Sequence, residues 1–190
     1  MNEIEIFGSF LGVLLNRNKT EAVWIGILKK FKYKSAGINW TDKPIKSLGI
    51  YVGHNDEECQ KLNWENKIDK MNKLFCTWEK RRLSILGKIL IIKSLILPLF
   101  TFLASVCLVP DVYQKEIEKK CFTSIWNGKS DKVKRNIIID SYEWGGLHMV
   151  DIKSYFIALK ASWVSRLVTR HLSDWKLYHW NILMQQVKTG

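Results

Sequence analysis

Apolar and polar positions along the chain fall into two regimes. Ile4 to Leu15 is mostly apolar and is closed by Asn16-Arg17-Asn18, which predicts a short helix and then a break. Two β-branched and aromatic runs follow. Ala22 to Ile27 reads AVWIGI, and Ile45 to Val52 reads IKSLGIYV after the turn residues Thr41-Asp42-Lys43-Pro44. With Gly37 to Trp40 between them, these runs predict a small antiparallel sheet.

From Asn63 the period lengthens. Trp64, Ile68, Met71, Phe75 and Trp78 step by four and three, a seam down one face of an amphipathic helix, read as core. Lys67, Lys70, Lys73 and Lys80 lie off that seam. Leu83 to Leu97 is apolar nearly all round: Ser84, Gly87, Lys88 and Ser94 share one narrow polar stripe, and Lys93 points the other way. Such a segment suits the central element of a bundle. Tyr113, Ile117, Cys121 and Ile125 continue helical spacing, and Phe156, Leu159, Trp163 and Leu167 mark a further helix. Ser173 is placed to cap a last one through Gln186. The expected fold is therefore α+β and mainly α-helical, with a small antiparallel β-hairpin region ahead of a helical bundle.

Ile89 to Pro110 spans 22 residues with one charge, long enough for a membrane helix. Lys93 inside the run, Pro98 near its middle, and Ser94, Thr101 and Ser105 oppose that reading. A central lysine alone costs about 2.5–3.5 kcal/mol on insertion. The favoured expectation is a buried helix ending near Pro98 and continuing as a second apolar segment. Met1 to Glu5 carries acids where a signal peptide has a basic region, so an intracellular location is expected.

Charge changes the picture next. The 190 residues hold 30 Lys+Arg and 18 Asp+Glu, a net charge of +12, in an otherwise globular composition. The excess is uneven: a net of +1 over residues 1–60, +8 over 61–140 and +3 over 141–190. A basic middle of this size points to a polyanion. Two clusters carry it, Lys80-Arg81-Arg82 and the group Lys129, Lys132, Lys134 and Arg135 within NGKSDKVKRN. Lys88 on the polar stripe joins them as a candidate phosphate contact.

Catalytic chemistry is hard to find. The adjacent acids Glu57-Glu58 read as a helix start rather than a metal pair, and the four histidines have no ligand-like spacing. Cys59, Cys76, Cys107 and Cys121 form no CxxC pair, which suggests neither a zinc site nor a disulfide framework. No GxSxG, Walker or GxGxxG pattern occurs. The expectation is no self-sufficient active site, no metal site and no small-molecule substrate.

Five blocks, in order, resemble the reverse transcriptase of LINE-type (non-LTR) retrotransposons. LLNRNKTEAVWIG (Leu14 to Gly26) is similar to polymerase motif D, with Lys19 at the motif's lysine. IKSLGIYVG (Ile45 to Gly53) resembles the primer-grip hairpin, with Leu48-Gly49 at its turn. WEKRRLSILGKILIIKSLILP (Trp78 to Pro98) is similar to the thumb helices. FTSIWNGKSDKVKRN (Phe122 to Asn136) and EWGGLHMVDI (Glu143 to Ile152) resemble the segment after the thumb. Phe10 to Asn16 departs from the family, reading FLGVLLN where relatives tend toward a Ser-Gly-Leu-Lys type start.

The resemblance implies a C-terminal fragment: end of palm over 1–60, thumb-like helices over 61–110, and a post-thumb helical linker over 111–190. The aspartate motifs that bind Mg2+ in the family belong upstream of the first block, so no cofactor and no polymerase activity are expected of this chain alone. The implied partner is an RNA–DNA hybrid or template–primer duplex, gripped independently of sequence through its backbone. The rival expectations are a poorly folded relic that self-associates through exposed Trp and Leu, and a membrane protein anchored by residues 89–110.

Overall fold

A computed structural model of the chain describes residues 2–14, 16–26 and 38–168. The chain forms two compact units, Met1–Lys67 and Ile68–Gly190. The helix expected from Ser173 lies outside the described residues.

The first unit opens with α1 (Asn2–Leu11), whose Phe7, Phe10 and Leu11 are exposed. Asn16 then caps a single 3-10 turn, its carboxamide oxygen accepting from the Lys19 N–H at 3.2 Å. The strands correct the expectation of one antiparallel sheet. β1 (Glu21–Val23) pairs in parallel with β2 (Asn39–Thr41), and Trp24 stacks on Trp40 at 4.3 Å between ring centroids. The run Ile45 to Val52 does not pair with them in register; it folds on itself as β3 (Ile45–Ser47) and β4 (Ile50–Val52). Leu48 and Gly49 force that reversal with φ of +48° and +86°, the left-handed pair of a tight hairpin turn. So the antiparallel hairpin exists, but it lies within one run rather than between two.

Helix α2 (Asp56–Glu79) starts seven residues ahead of Asn63, where the period lengthens, with Glu57-Glu58 in its first turn. Asn55 accepts from the Glu57 and Glu58 N–H groups at 3.1 and 3.3 Å, and three acids fill the first turn, where the helix dipole favours them. Asn63 pins the helix to the hairpin. Its carboxamide accepts from Tyr51 N–H at 2.8 Å and donates to Tyr51 C=O at 2.9 Å, so both ends of a buried polar side chain are hydrogen-bonded.

The second unit is helical. α3 (Ile85–Ile91), capped by Ser84, leads through a π turn (Ile92–Ile96) into α4 (Leu97–Val106). This corrects the expected stop near Pro98. Proline lacks an N–H and crowds the carbonyl four residues back. Here the preceding turn widens instead, the Leu97 N–H reaching Ile92 C=O, and the helix continues. α5 (Asp111–Ile125), α6 (Arg135–Ile139) and α7 (Ile152–Val168) follow. α4 packs on α7, α3 on α5, and α5 on α7. Ile92, Ile96, Phe100 and Leu103 are buried in this core with Ile117, Cys121 and Ile125 of α5 and Ile152 and Phe156 of α7. Each such side chain contributes about 1.5–3 kcal/mol by leaving water.

The segment Ile85–Val106 is long and apolar enough to cross a membrane by length and composition. Its inner side is core, while Leu86, Leu90, Phe102 and Val106 remain exposed along its length. Beyond α6 the chain doubles back, with His148 N–H on Asp140 C=O and Met149 N–H on Ile138 C=O, both at 2.9 Å. A Cβ on Gly146 would lie 2.0 Å from the Asp140 carbonyl oxygen, so only glycine fits this close approach.

Candidate nucleic-acid interface

The first cationic cluster sits where α2 ends. Arg81 N–H bonds back to Trp78 C=O at 3.0 Å, and Arg82 takes a left-handed φ of +47°, which turns the chain toward the Ser84 cap of α3. Lys80, Arg81 and Arg82 are all exposed, and none has an ion-pair partner among the described residues. The Arg81 guanidinium lies over the Trp78 ring at 4.5 Å, which orients it while its donors stay available.

The second cluster follows α5. That helix ends in a Schellman motif, with Gly128 N–H on Thr123 C=O at 3.0 Å, Asn127 N–H on Ser124 C=O at 3.3 Å, and Asn127 left-handed. Lys129, Lys132 and Lys134 are exposed in the loop beyond. Arg135 behaves differently. It donates to Glu118 at 2.8 Å and Asp131 at 2.9 Å and covers the Phe122 ring at 4.6 Å. The hydrogen bond to Asp131 does most to hold its pKa above the ordinary arginine value, against desolvation. Its cation is spent inside the fold.

Lys88 is spent likewise. Its ammonium donates to Ile125 C=O at 3.1 Å and to the Asn127 carboxamide, at the C-terminal end of α5 where the helix dipole favours a cation. Burial pulls its pKa below the ordinary lysine value, and the Glu79 carboxylate partly offsets that. Of the eight cations expected to contact phosphate, Lys88 and Arg135 therefore hold α3 and α6 to α5, and six remain exposed to solvent.

The Lys88 contact ties α3 to the end of α5. A groove of about 640 Å3 runs between the end of α2, α3 and α5. Phe75, Trp78, Leu83 and Ile91 give it apolar walls, and Lys119, Lys120 and Gly128 line the α5 side. Trp78 and Leu83 bracket Lys80-Arg81-Arg82, and Gly128 adjoins Lys129. Arg82 and Lys129, far apart in sequence, thus each adjoin a residue that lines the groove. No protein-family model matches the chain.

The groove also corrects the reading of the α2 seam. Trp64, Ile68 and Met71 are buried, but Phe75 and Trp78 are only half-buried and line the groove. Sequence reasoning missed the groove and its α5 wall; the signal was a seam running to the last turn of α2, facing the Lys119-Lys120 pair. The remaining candidates stand in the first unit. Lys19 is exposed at the end of the 3-10 turn, and Leu48, 90% exposed, tips the β3–β4 hairpin beside Gly49. Among the described residues no cluster of His, Cys, Asp and Glu forms a metal-binding group.

Proposed function

We propose that the second unit grips the sugar–phosphate backbone of nucleic acid without reading its sequence, as the thumb and following segment of a LINE-type reverse transcriptase would. One observation supports this reading: the exposed cations Arg82 and Lys129 directly adjoin Leu83 and Gly128 in the wall of a single groove, and Lys88 is tied within that wall. Exposed Lys and Arg at the mouth of a groove attract phosphates, and counterion release makes the binding steeply salt-dependent. Lys19 and the Leu48-Gly49 turn stand in this reading as motif D and primer-grip positions. Polymerase activity, with its Mg2+, belongs in it to an upstream palm.

Fluorescence-anisotropy titration with an RNA–DNA duplex across a salt series tests it. If three to six of the exposed cations reach phosphate, the log–log slope is about −3 to −5. A folded monomer that binds no duplex at low salt refutes it. A second reading has its own observation: the exposed row Leu86, Leu90, Phe102 and Val106 suits self-association. Light scattering that shows concentration-dependent growth, with no duplex binding, would favour it.

A further inference from the structure

We propose that the groove between the end of α2, α3 and α5 takes an unpaired nucleotide of the strand that the exposed cations hold, with its base inside and its phosphates outside. This rests on the backbone-binding reading and adds a preference for a single-stranded end or gap over a blunt duplex. A duplex presents phosphates to the rim but has no way to fill a pocket of this kind. The groove is about 640 Å3, within the range that buries a small organic molecule.

Three features select the occupant. Phe75 and Trp78, one helical turn apart, supply flat aromatic surface, which accepts any base because every base has a π face. Two of the three lysines that line the groove are occupied by contacts within the fold. Lys88 is tied to Ile125 and Asn127, and Lys120 is paired with Glu116 at 3.0 Å and with Asn72 at 2.7 Å. Glu79 also lines it, and its carboxylate has no ion pair or hydrogen bond among the described residues. An anionic group inside would face that charge, whereas a neutral base offers amino groups to it. Exposed positive charge stands on Lys119 in the wall, on Arg81 over the Trp78 ring, and on Arg82 and Lys129, the chain neighbours of the lining residues Leu83 and Gly128. An occupant that is neutral, planar and hydrogen-bonding at one end and anionic at the other matches this division. A nucleotide has that form; an alkyl chain with an acidic head lacks partners for the polar walls.

Cys76 lines the same groove and is exposed, Cys59 and Cys121 are buried and Cys107 is half-buried, so alkylation of Cys76, separated from that of Cys107 by peptide mass mapping, reports occupancy. The test uses the full chain with three RNA–DNA duplexes: blunt, carrying a four-nucleotide single-stranded overhang, and carrying the same overhang without bases. Expected are affinity about tenfold higher for the overhang than for the blunt duplex, and several-fold slower Cys76 alkylation with the overhang alone. The abasic overhang should behave like the blunt duplex, and Phe75→Leu should remove the overhang's advantage, so that overhang and blunt duplexes bind that variant with equal affinity. Equal affinity for blunt and overhang duplexes, or equal effects of the normal and abasic overhangs, overturns the inference while the backbone reading survives. Failure of every duplex to bind overturns both. A fatty acid that protects Cys76 where the overhang does not assigns the groove to a lipid and also overturns it.

Discussion

Arg135 separates a cation that holds the fold from one that holds a ligand. The sequence places it in the phosphate-binding cluster with Lys129, Lys132 and Lys134, whereas the structure gives it two carboxylates and a ring. Replacing it with methionine keeps the stem and removes the guanidinium. Each ion pair is about one-third exposed and so is worth only about 0.2–1 kcal/mol after screening by water. The contact with Phe122 adds about 0.5–1 kcal/mol. Glu118 and Asp131 stay hydrated when the partner goes, so no penalty for a stranded buried charge follows. The expected loss is therefore about 1–3 kcal/mol, or about 2–8 °C in Tm for a chain of this size.

The lysine variant sharpens the test. Arg135→Lys keeps the charge but cannot reach two carboxylates through one planar fork, so it should recover only part of the stability. Both variants should bind an RNA–DNA duplex with the wild-type salt slope once folded. Calorimetry and salt-series anisotropy on the same three proteins give the answer. An Arg135→Met protein that melts like wild type and shows a salt slope shallower by about one would refute the reasoning, because it would mean the guanidinium serves phosphate rather than Glu118 and Asp131.

Arg81→Ala with Arg82→Ala should show the reverse pattern: Tm within about 2 °C of wild type, since both are exposed, and a salt slope shallower by about two in the duplex titration. Leu48→Asn should raise stability by up to about 1 kcal/mol in urea melts, because asparagine tolerates the left-handed φ of +48° better than leucine, while weakening duplex binding if the hairpin tip touches the primer. Cys121 is buried in apolar surroundings that push its thiol up to about 12, from an ordinary value near 9. Above pH 9 the unfolded chain loses this proton and the folded chain keeps it, so stability falls with rising pH by up to about 1.4 kcal/mol per unit until about pH 12; in alkaline urea melts Cys121→Val should flatten that limb.

The helices were legible because their periods are local. Trp64, Ile68 and Met71, then Ile117, Cys121 and Ile125, fall on buried faces as their spacing says, since three- and four-residue steps need no knowledge of the partner. The strand pairing was not. Whether Ala22 meets Trp40 in parallel depends on contacts that no alternation encodes, and only the Leu48-Gly49 reversal had a local signal. Pro98 misled for a related reason: proline marks a broken hydrogen bond, but a widened turn or a chain break answers it equally well. The two structural cations were the least legible. Lys88 meets Ile125 across 37 residues and Arg135 meets Glu118 across 17, and only the Asp131–Arg135 spacing of four was a local sign that one of them is engaged.

That division of the cations also bears on how the groove is formed. Lys129 follows α5, and Lys80-Arg81-Arg82 precedes α3; without a tie between these helices the two groups would be separate charged surfaces. The ammonium of Lys88 supplies the tie by holding the carbonyl end of α5 and the left-handed Asn127 against α3. The charge is partly desolvated there, which is costly, and it is retained at a helix C-terminus, where a cation is favoured and the two acceptors satisfy it. The same contact positions Gly128 opposite Trp78 and Leu83, and so forms the groove whose wall Arg82 and Lys129 adjoin. A net charge of +8 over the middle of the chain is thus not one undifferentiated footprint. Part of it is consumed inside the fold, by Lys88 in the wall of the groove and by Arg135 against Glu118 and Asp131, and only the remainder is left exposed to serve the proposed function.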